Sequence, residues 1–271
     1  MQQRIFITGG ASGLGRALAE RYAREGWRVC VADIDPAKGA ATVAALAQYG
    51  GGGHYLNCDV RREADLQAAA DWLQYHWGGI DVVVNNAGVA VAGGIGELPM
   101  RDWEWITDIN LLGVARGCKV FTPLFRAQGH GYFINVASMA GLIHPPKMAA
   151  YCATKAAVVA LSEVLAVELA TDRIGVSVVC PDFFRTNLAD SLRASDDQVA
   201  ALTRKLVTRA RVSAEEIADQ VFNGVAEGRF RIVTHRRGYV AWMAKRLLPW
   251  RAFSAAVRRE AGRMMAPRKA G

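Results

Sequence analysis

The sequence predicts an α/β fold, a doubly wound parallel sheet with helices on both faces, and three observations carry that reading. Short apolar runs alternate with helical patterns along the chain, as repeated strand–helix–strand units require. The hydrophobic content agrees with strands buried on both faces. The first run opens into a glycine-rich turn with a helical pattern directly behind it. With 271 residues, 52% of them hydrophobic, the chain has the length and the apolar content for one such domain. Strands are expected near 4–8, 28–32, 54–57, 81–84, 131–136, 175–180 and 230–233. Helices are expected near 13–25, 36–48, 62–77, 101–127, 149–171 and 213–227. No internal repeat or Pro/Ser-rich linker divides the chain, and Gly50–Gly53 reads as a local loop.

The first strand, Arg4–Thr8, runs into Thr8-Gly9-Gly10-Ala11-Ser12-Gly13-Leu14-Gly15, and the next helix places Leu18, Ala19 and Tyr22 on its apolar face. A glycine-rich turn between strand and helix suits a pyrophosphate. Backbone N–H groups at the helix start carry partial positive charge, and glycines let that backbone approach closely. Gly9, Ser12, Gly13, Leu14 and Gly15 are therefore the expected phosphate-binding residues. The second strand ends at Asp33, eighteen residues after Gly15. A carboxylate there can accept hydrogen bonds from the ribose hydroxyls of NAD and would repel the 2′-phosphate of NADP. The positions where NADP sites usually place a basic residue hold Ser12 and Ile34. NAD is the expected cofactor, ahead of NADP.

Tyr151 and Lys155 lie four residues apart in a helical pattern, thirteen and seventeen residues after Ser138. Positions i and i+4 share a helix face, so phenol and ammonium can address one site. A nearby positive charge favours the phenolate, and lowering a tyrosine pKa of about 10 by roughly 3 units takes about 4 kcal/mol, which the ammonium together with an oxidised nicotinamide could supply.

The formal charge of +8 is unevenly spread. Residues 1–228 hold 21 Lys/Arg against 24 Asp/Glu, and residues 229–271 hold 12 Lys/Arg against one acid, Glu260. Trp242, Leu247, Leu248, Trp250 and Phe253 lie among those basic residues, and Pro249 rules out one long helix. Residues 236–271 are read as a basic, apolar-rich extension of a catalytic domain spanning 1–235. The extension suits a lid, a subunit contact or a segment on an anionic membrane surface. It has no nucleic-acid recognition motif. No segment is expected to span a bilayer. Five cysteines and five histidines are scattered without metal-ligand spacing, so no metal site is expected. The odd cysteine count and the lack of a leader pattern fit a reducing cytoplasm.

Together these motifs make the chain resemble the short-chain dehydrogenase/reductase family, in its single-domain branch, over about residues 1–235. Thr8–Gly15 matches T-G-x-x-x-G-x-G. Asp59-Val60 matches the pair beside the adenine, and Asn85-Asn86-Ala87-Gly88 matches N-N-A-G. Asn110 matches the helix asparagine. Ser138, Tyr151 and Lys155 match the catalytic set, and Pro181–Thr186 matches P-G-x-x-x-T with Asp182 in the glycine's place. The resemblance implies a Rossmann-type seven-stranded sheet of order 3-2-1-4-5-6-7. It adds Asp59, Val60, Asn86, Ala87, Gly88, Tyr151, Lys155, Pro181, Phe183 and Thr186 to the cofactor contacts. Asp182 is expected to keep the turn by adopting a left-handed conformation, which Asp tolerates, with its carboxylate near the nicotinamide.

The implied chemistry is hydride transfer between a nicotinamide dinucleotide and an alcohol or ketone. Tyr151 would exchange the proton. Lys155 would hold the phenolate and the nicotinamide ribose, and Ser138 would bind the substrate oxygen. Asn110 would keep a water that relays protons to Lys155, and Thr186 would hold the carboxamide. Val89, Ala90, Val91, Ala140, Leu142, Pro145, Met148, Phe184 and Leu188, with His144 and Phe183 as substrate contacts, suggest a small hydrophobic alcohol or ketone, steroid-like or long-chain. Two alternatives stand beside this: an NADPH-dependent 3-oxoacyl reductase, and a non-catalytic dinucleotide-binding sensor or scaffold. Pairing through the helices at 101–127 and 149–171 would give a homodimer or homotetramer.

Overall fold

The computed structural model describes residues 2–265. Its strands are β1 (Arg4–Thr8), β2 (Arg28–Asp33), β3 (Gly53–Asn57), β4 (Val82–Asn85), β5 (Val91–Ala92), β6 (Gly131–Val136), β7 (Ile174–Cys180), β8 (Arg193–Ala194) and β9 (Arg231–Val233). Its α-helices are α1 (Gly13–Arg24), α2 (Pro36–Leu46), α3 (Glu63–Trp77), α4 (Met100–Thr107), α5 (Gly113–Gln128), α6 (Ala140–Ile143), α7 (Ala149–Glu168), α8 (Asp197–Thr208), α9 (Ala214–Ala226), α10 (Arg236–Leu247) and α11 (Trp250–Met265).

Seven strands form one parallel sheet in the order β3-β2-β1-β4-β6-β7-β9, which is the expected order with β6, β7 and β9 as its last three strands. This is the doubly wound Rossmann arrangement. Strand period two divides the core. Ile5 and Ile7 of β1 pack with Leu18, Tyr22, Ile217 and Val221 of α1 and α9. Phe6 between them packs on the other face with Leu73, Phe121, Phe133 and Val158.

The long helix expected over 101–127 is interrupted. A π-helical turn, Asp108–Leu112, separates α4 from α5. The wider turn brings Asn110 inward, fully buried, where Nδ2 donates to the Val89 carbonyl (2.9 Å) and Oδ1 accepts from the Val89 N–H (2.8 Å). A buried amide chain fixes the neighbouring helix. Asn85 Nδ2 donates to Asn135 Oδ1 (2.9 Å), and Asn135 Nδ2 donates to Ser162 Oγ (3.0 Å) on α7. These two hydrogen bonds link β4, β6 and α7 and help set where α7 sits, and α7 carries Tyr151 and Lys155.

Three features depart from expectation. The two-residue strands β5 and β8 form a separate parallel ribbon, too short to leave a periodicity. Helix α8 fills the connection after β7, capped by Asp196, whose side chain accepts from the Val199 N–H (2.8 Å). Contrary to the expectation about spans, α7 is long and apolar enough to cross a membrane. Its hydropathy here serves the core: Val158 and Val159 lie within it and Lys155 is buried.

The chain's final described portion folds back. Gly238 of α10 sits where a Cβ would approach Met139 Cγ to 3.0 Å. Trp242 packs against the core, and Lys245 Nζ donates to the Leu142 carbonyl (2.6 Å).

Candidate active site

The C-terminal ends of the central strands open on a cavity of about 480 Å³, the usual ligand crevice of such a sheet. Gly9, Ser12, Gly13 and Leu14 line one end. Gly9 has φ +61°, and a Cβ on it would stand 2.8 Å from Ala87 Cα. Gly15 lets α1 meet the loop, since a Cβ there would lie 2.1 Å from the Gly9 carbonyl oxygen. Backbone cannot yield as a side chain tip can. Gly15→Ala is expected to destabilise the protein by about 2 kcal/mol and to weaken dinucleotide binding severalfold, read by thermal unfolding and NADH titration.

The loop fits a pyrophosphate. Ser12, at the start of α1, makes no side-chain cap bond, and no acid occupies the first helical turn. The first-turn N–H groups are therefore left to an external anion. By contrast α2 is capped by its own Asp35, which accepts from Ala37 and Lys38. The N-N-A-G segment braces the loop. Thr8 Oγ1 accepts from the N–H groups of Asn86 (3.0 Å) and Ala87 (3.1 Å), and Asn86 Nδ2 donates to the carbonyls of Thr8 (2.9 Å) and Gly9 (3.1 Å). Asn86, Ala87 and Gly88 all line the cavity.

Asp33 lines the next portion, its Oδ2 accepting from the Ala11 N–H (3.0 Å) and its Oδ1 from the Asp35 N–H (3.1 Å). Each oxygen keeps a lone pair for a ribose hydroxyl. Asp59 and Val60 form the wall beyond, where Asp59 pairs with Arg61 (2.6 Å). The Arg61 guanidinium holds the Asp59 carboxyl below its usual range.

At the other end Tyr151 and Lys155 face the cavity from α7, and Pro181 and Thr186 face it from the segment after β7. Lys155 is buried, and its Nζ donates to the Val136 carbonyl (2.8 Å). Burial pulls its pKa down to about 8. Burial likewise pushes the Tyr151 phenol up to about 12, with the neighbouring Ser138 hydroxyl pulling the other way. The lowering expected from the ammonium together with an oxidised nicotinamide belongs to the cofactor-bound site; in the chain alone burial raises the phenol. The ammonium stands 5.9 Å from the ring centroid, and desolvation dominates both groups. Ser138 Oγ accepts from the Ala140 N–H (3.1 Å) and donates to the Pro181 carbonyl (3.3 Å). Its hydroxyl neighbours the Tyr151 phenol. Asn110 is outside the cavity wall, its side chain engaged with Val89.

Three expectations about this end are corrected. Phe183 is outward and exposed, and Phe184 lines the cavity in its place. Alternate residues of an extended segment point opposite ways, so the choice between adjacent phenylalanines depended on strand phase. His144 does not reach the cavity: its Nε2 meets the Gly141 carbonyl (3.1 Å) and its Nδ1 meets Lys245 Nζ (2.9 Å). Asp182 is not among the residues with positive φ. Its carboxylate accepts from the Phe183 N–H (2.8 Å), its own N–H meets His235 Nδ1 (3.3 Å), and it does not line the cavity.

Sequence reading missed Trp105, Ile109, Ser191, Lys38 and Arg61, all of which line the cavity. Trp105 and Ile109, spaced i and i+4, could have been found as an apolar pair on the helix facing the catalytic helix. Lys38 lies four residues beyond Ile34, where a phosphate-reading base was sought, and Arg61 directly follows the Asp59-Val60 pair.

Fold and site together define a dinucleotide-dependent oxidoreductase. The family model of the short chain dehydrogenases matches residues 3–197. A 3beta-hydroxysteroid dehydrogenase of Mediterraneibacter gnavus is 34% identical over 224 residues, covering 82% of this chain and 80% of its own. A D-threitol dehydrogenase of Mycolicibacterium smegmatis is 37% identical over 217 residues, covering 79% of this chain and 82% of its own. Among solved structures, a short-chain dehydrogenase/reductase from Burkholderia phymatum in complex with NAD superposes with a TM-score of 0.82 at 32% identity, covering 100% of this chain and 97% of its own. One from Sphingobium yanoikuyae in complex with NADPH gives 0.74 at 28% identity, covering 99% and 98%. This chain belongs to the short-chain dehydrogenase/reductase family.

Proposed function

We propose that this protein transfers hydride between NAD and a hydrophobic secondary alcohol or ketone. The observation that carries the substrate class is the wall around Tyr151: Val89, Trp105, Ile109, Phe184 and Leu188 border the same cavity as the phenol. A largely apolar wall on the cavity that the phenol faces favours an apolar ligand held by its reacting oxygen. The Mediterraneibacter gnavus relative's name fits that reading, and the D-threitol dehydrogenase marks the polar alternative.

The NAD preference rests on Asp33. The two bases at the adenine end are each engaged by a carboxylate, Lys38 with Asp35 (3.2 Å) and Arg61 with Asp59 (2.6 Å). Their presence still keeps the NADPH-dependent reductase as the second reading, since either could turn to a 2′-phosphate. Titration with NADH and NADPH, followed by energy transfer from tryptophan to nicotinamide, tests this. NADH is expected to bind at least about tenfold tighter, and Asp33→Asn is expected to cost NADH about tenfold, as for a lost charged hydrogen bond. Tighter NADPH binding would transfer the assignment to the reductase. Turnover of small polyols with none of lipophilic alcohols would overturn the substrate class.

In the proposed mechanism the α1 N-terminus and Thr8-braced loop would hold the pyrophosphate, Asp33 the adenine ribose, Lys155 the second ribose and Thr186 the carboxamide. The bound nicotinamide supplies the hydride donor or acceptor and, when oxidised, a positive charge. Tyr151 donates its phenolic proton to the carbonyl oxygen in reduction and takes the hydroxyl proton in oxidation. Ser138 steadies the substrate oxygen and Asn110 keeps the relay water beside Lys155.

The protein is further read as a homo-oligomer through α7. Ala153, Ala160, Val164 and Val167 form an exposed apolar stripe on the helix side away from the core. A monomeric mass by light scattering would remove that reading.

A further inference from the structure

Helices α10 and α11 meet at an apolar corner, Leu247-Leu248-Pro249-Trp250, that the described chain leaves uncovered. Leu247 is 76% exposed and Trp250 70%. Helical phase extends the patch along α10. Val240 is one heptad before Leu247 on the same side, with Tyr239 beside it, all exposed, while Gly238, Trp242 and Lys245 on the opposite side face the body. Exposed Arg236, Arg246 and Arg251 flank the patch.

This corner is not a lid, because no described residue beyond Ser191 lines the cavity. Pairing with the same face of a second copy is disfavoured by symmetry. A two-fold contact sets each patch against itself, and residues 229–271 carry 12 Lys/Arg with one acid, so arginine would meet arginine. An anionic surface meets both features at once. Basic side chains take the headgroups, while Trp and Leu enter the headgroup–acyl boundary.

We propose that the α10–α11 corner docks this protein on an anionic lipid bilayer, with Leu247, Leu248 and Trp250 inserting between flanking arginines. The docking is independent of the cofactor and substrate assignments.

Sedimentation of the full chain with vesicles tests it, using phosphatidylcholine alone and an equal mixture of phosphatidylcholine and phosphatidylglycerol. The protein is expected to bind the anionic vesicles and to be released by high salt. The double variants L247S/W250S and R246E/R251E are each expected to cut partitioning about tenfold or more, with NADH binding retained as the check on folding. No sedimentation with anionic vesicles, equal binding to both vesicle types, or binding untouched by both double variants overturns the proposal. So does a variant that lowers the oligomeric mass while the parent protein ignores vesicles, which would make the corner a subunit contact.

Discussion

Tyr151→Phe is expected to lower kcat about a thousandfold, within the span of general acid–base catalysis, while NADH binding stays within about twofold of the parent. The substitution removes one oxygen from a buried ring. The apolar surroundings of that ring, including Ala140, Val91 and Cys152, keep their contacts. What is lost is the titratable group that lines the cavity beside Lys155. A buried phenol pushed up to about 12 is a proton donor at neutral pH. The parent enzyme should therefore reduce ketones without loss toward lower pH, and oxidise alcohols faster as pH rises. Steady-state kinetics in both directions, with binding measured in parallel, checks the prediction. Turnover unchanged in the variant would remove Tyr151 from the chemistry.

Lys155→Met is expected to abolish turnover and, at neutral pH, to make the protein more stable. Burial lowers the Lys155 pKa from 10.5 to about 8. At about 1.4 kcal/mol per pH unit, holding the ammonium in that site costs roughly 3 kcal/mol. The sign follows from proton counting. Between about pH 8 and the unfolded value the unfolded chain binds more protons than the folded one, so the lysine's burden shrinks as pH rises through that window. Below it the full cost applies. Methionine fills a similar volume and carries no charge, although it leaves the Val136 carbonyl without its 2.8 Å donor, a loss of about 1 kcal/mol. A net gain of roughly 2 kcal/mol at pH 7 remains, narrowing toward pH 10. Denaturant unfolding at the two pH values measures it. A variant less stable than the parent at pH 7 contradicts a strained, buried ammonium. In the parent, ketone reduction should also decline above about pH 8, as Lys155 loses the charge that orients its partners.

Most of the frame was legible because it rests on local pattern. The apolar runs that became β1, β2, β6 and β7 hold Val, Ile and Phe with no polar alternation, and glycines punctuate the β1–α1 turn. The Tyr151–Lys155 spacing announced one face of α7, and both residues do face the cavity. What was illegible depends on partners distant in sequence. The π-helical turn at Asp108–Leu112 exists where Asn110 finds the Val89 backbone, 21 residues away. His144 was drawn from the site by Lys245, 101 residues on. Asp182 resembled a strained substitute for glycine until its neighbour His235 and its own loop accounted for it.

The sequence by itself determined the α/β class, the sheet's buried character, the glycine-rich turn before α1 and the four-residue spacing that sets Tyr151 and Lys155 on one face of α7. Those follow from residue type, period and short spacings, which act over a single turn or strand. Only the tertiary structure decided which phenylalanine turns inward, where the apolar corner of the extension points, and how the catalytic pair titrates. Direction and desolvation are properties of what surrounds a side chain. For Tyr151 burial is the largest influence in the folded chain, and it raises the phenol.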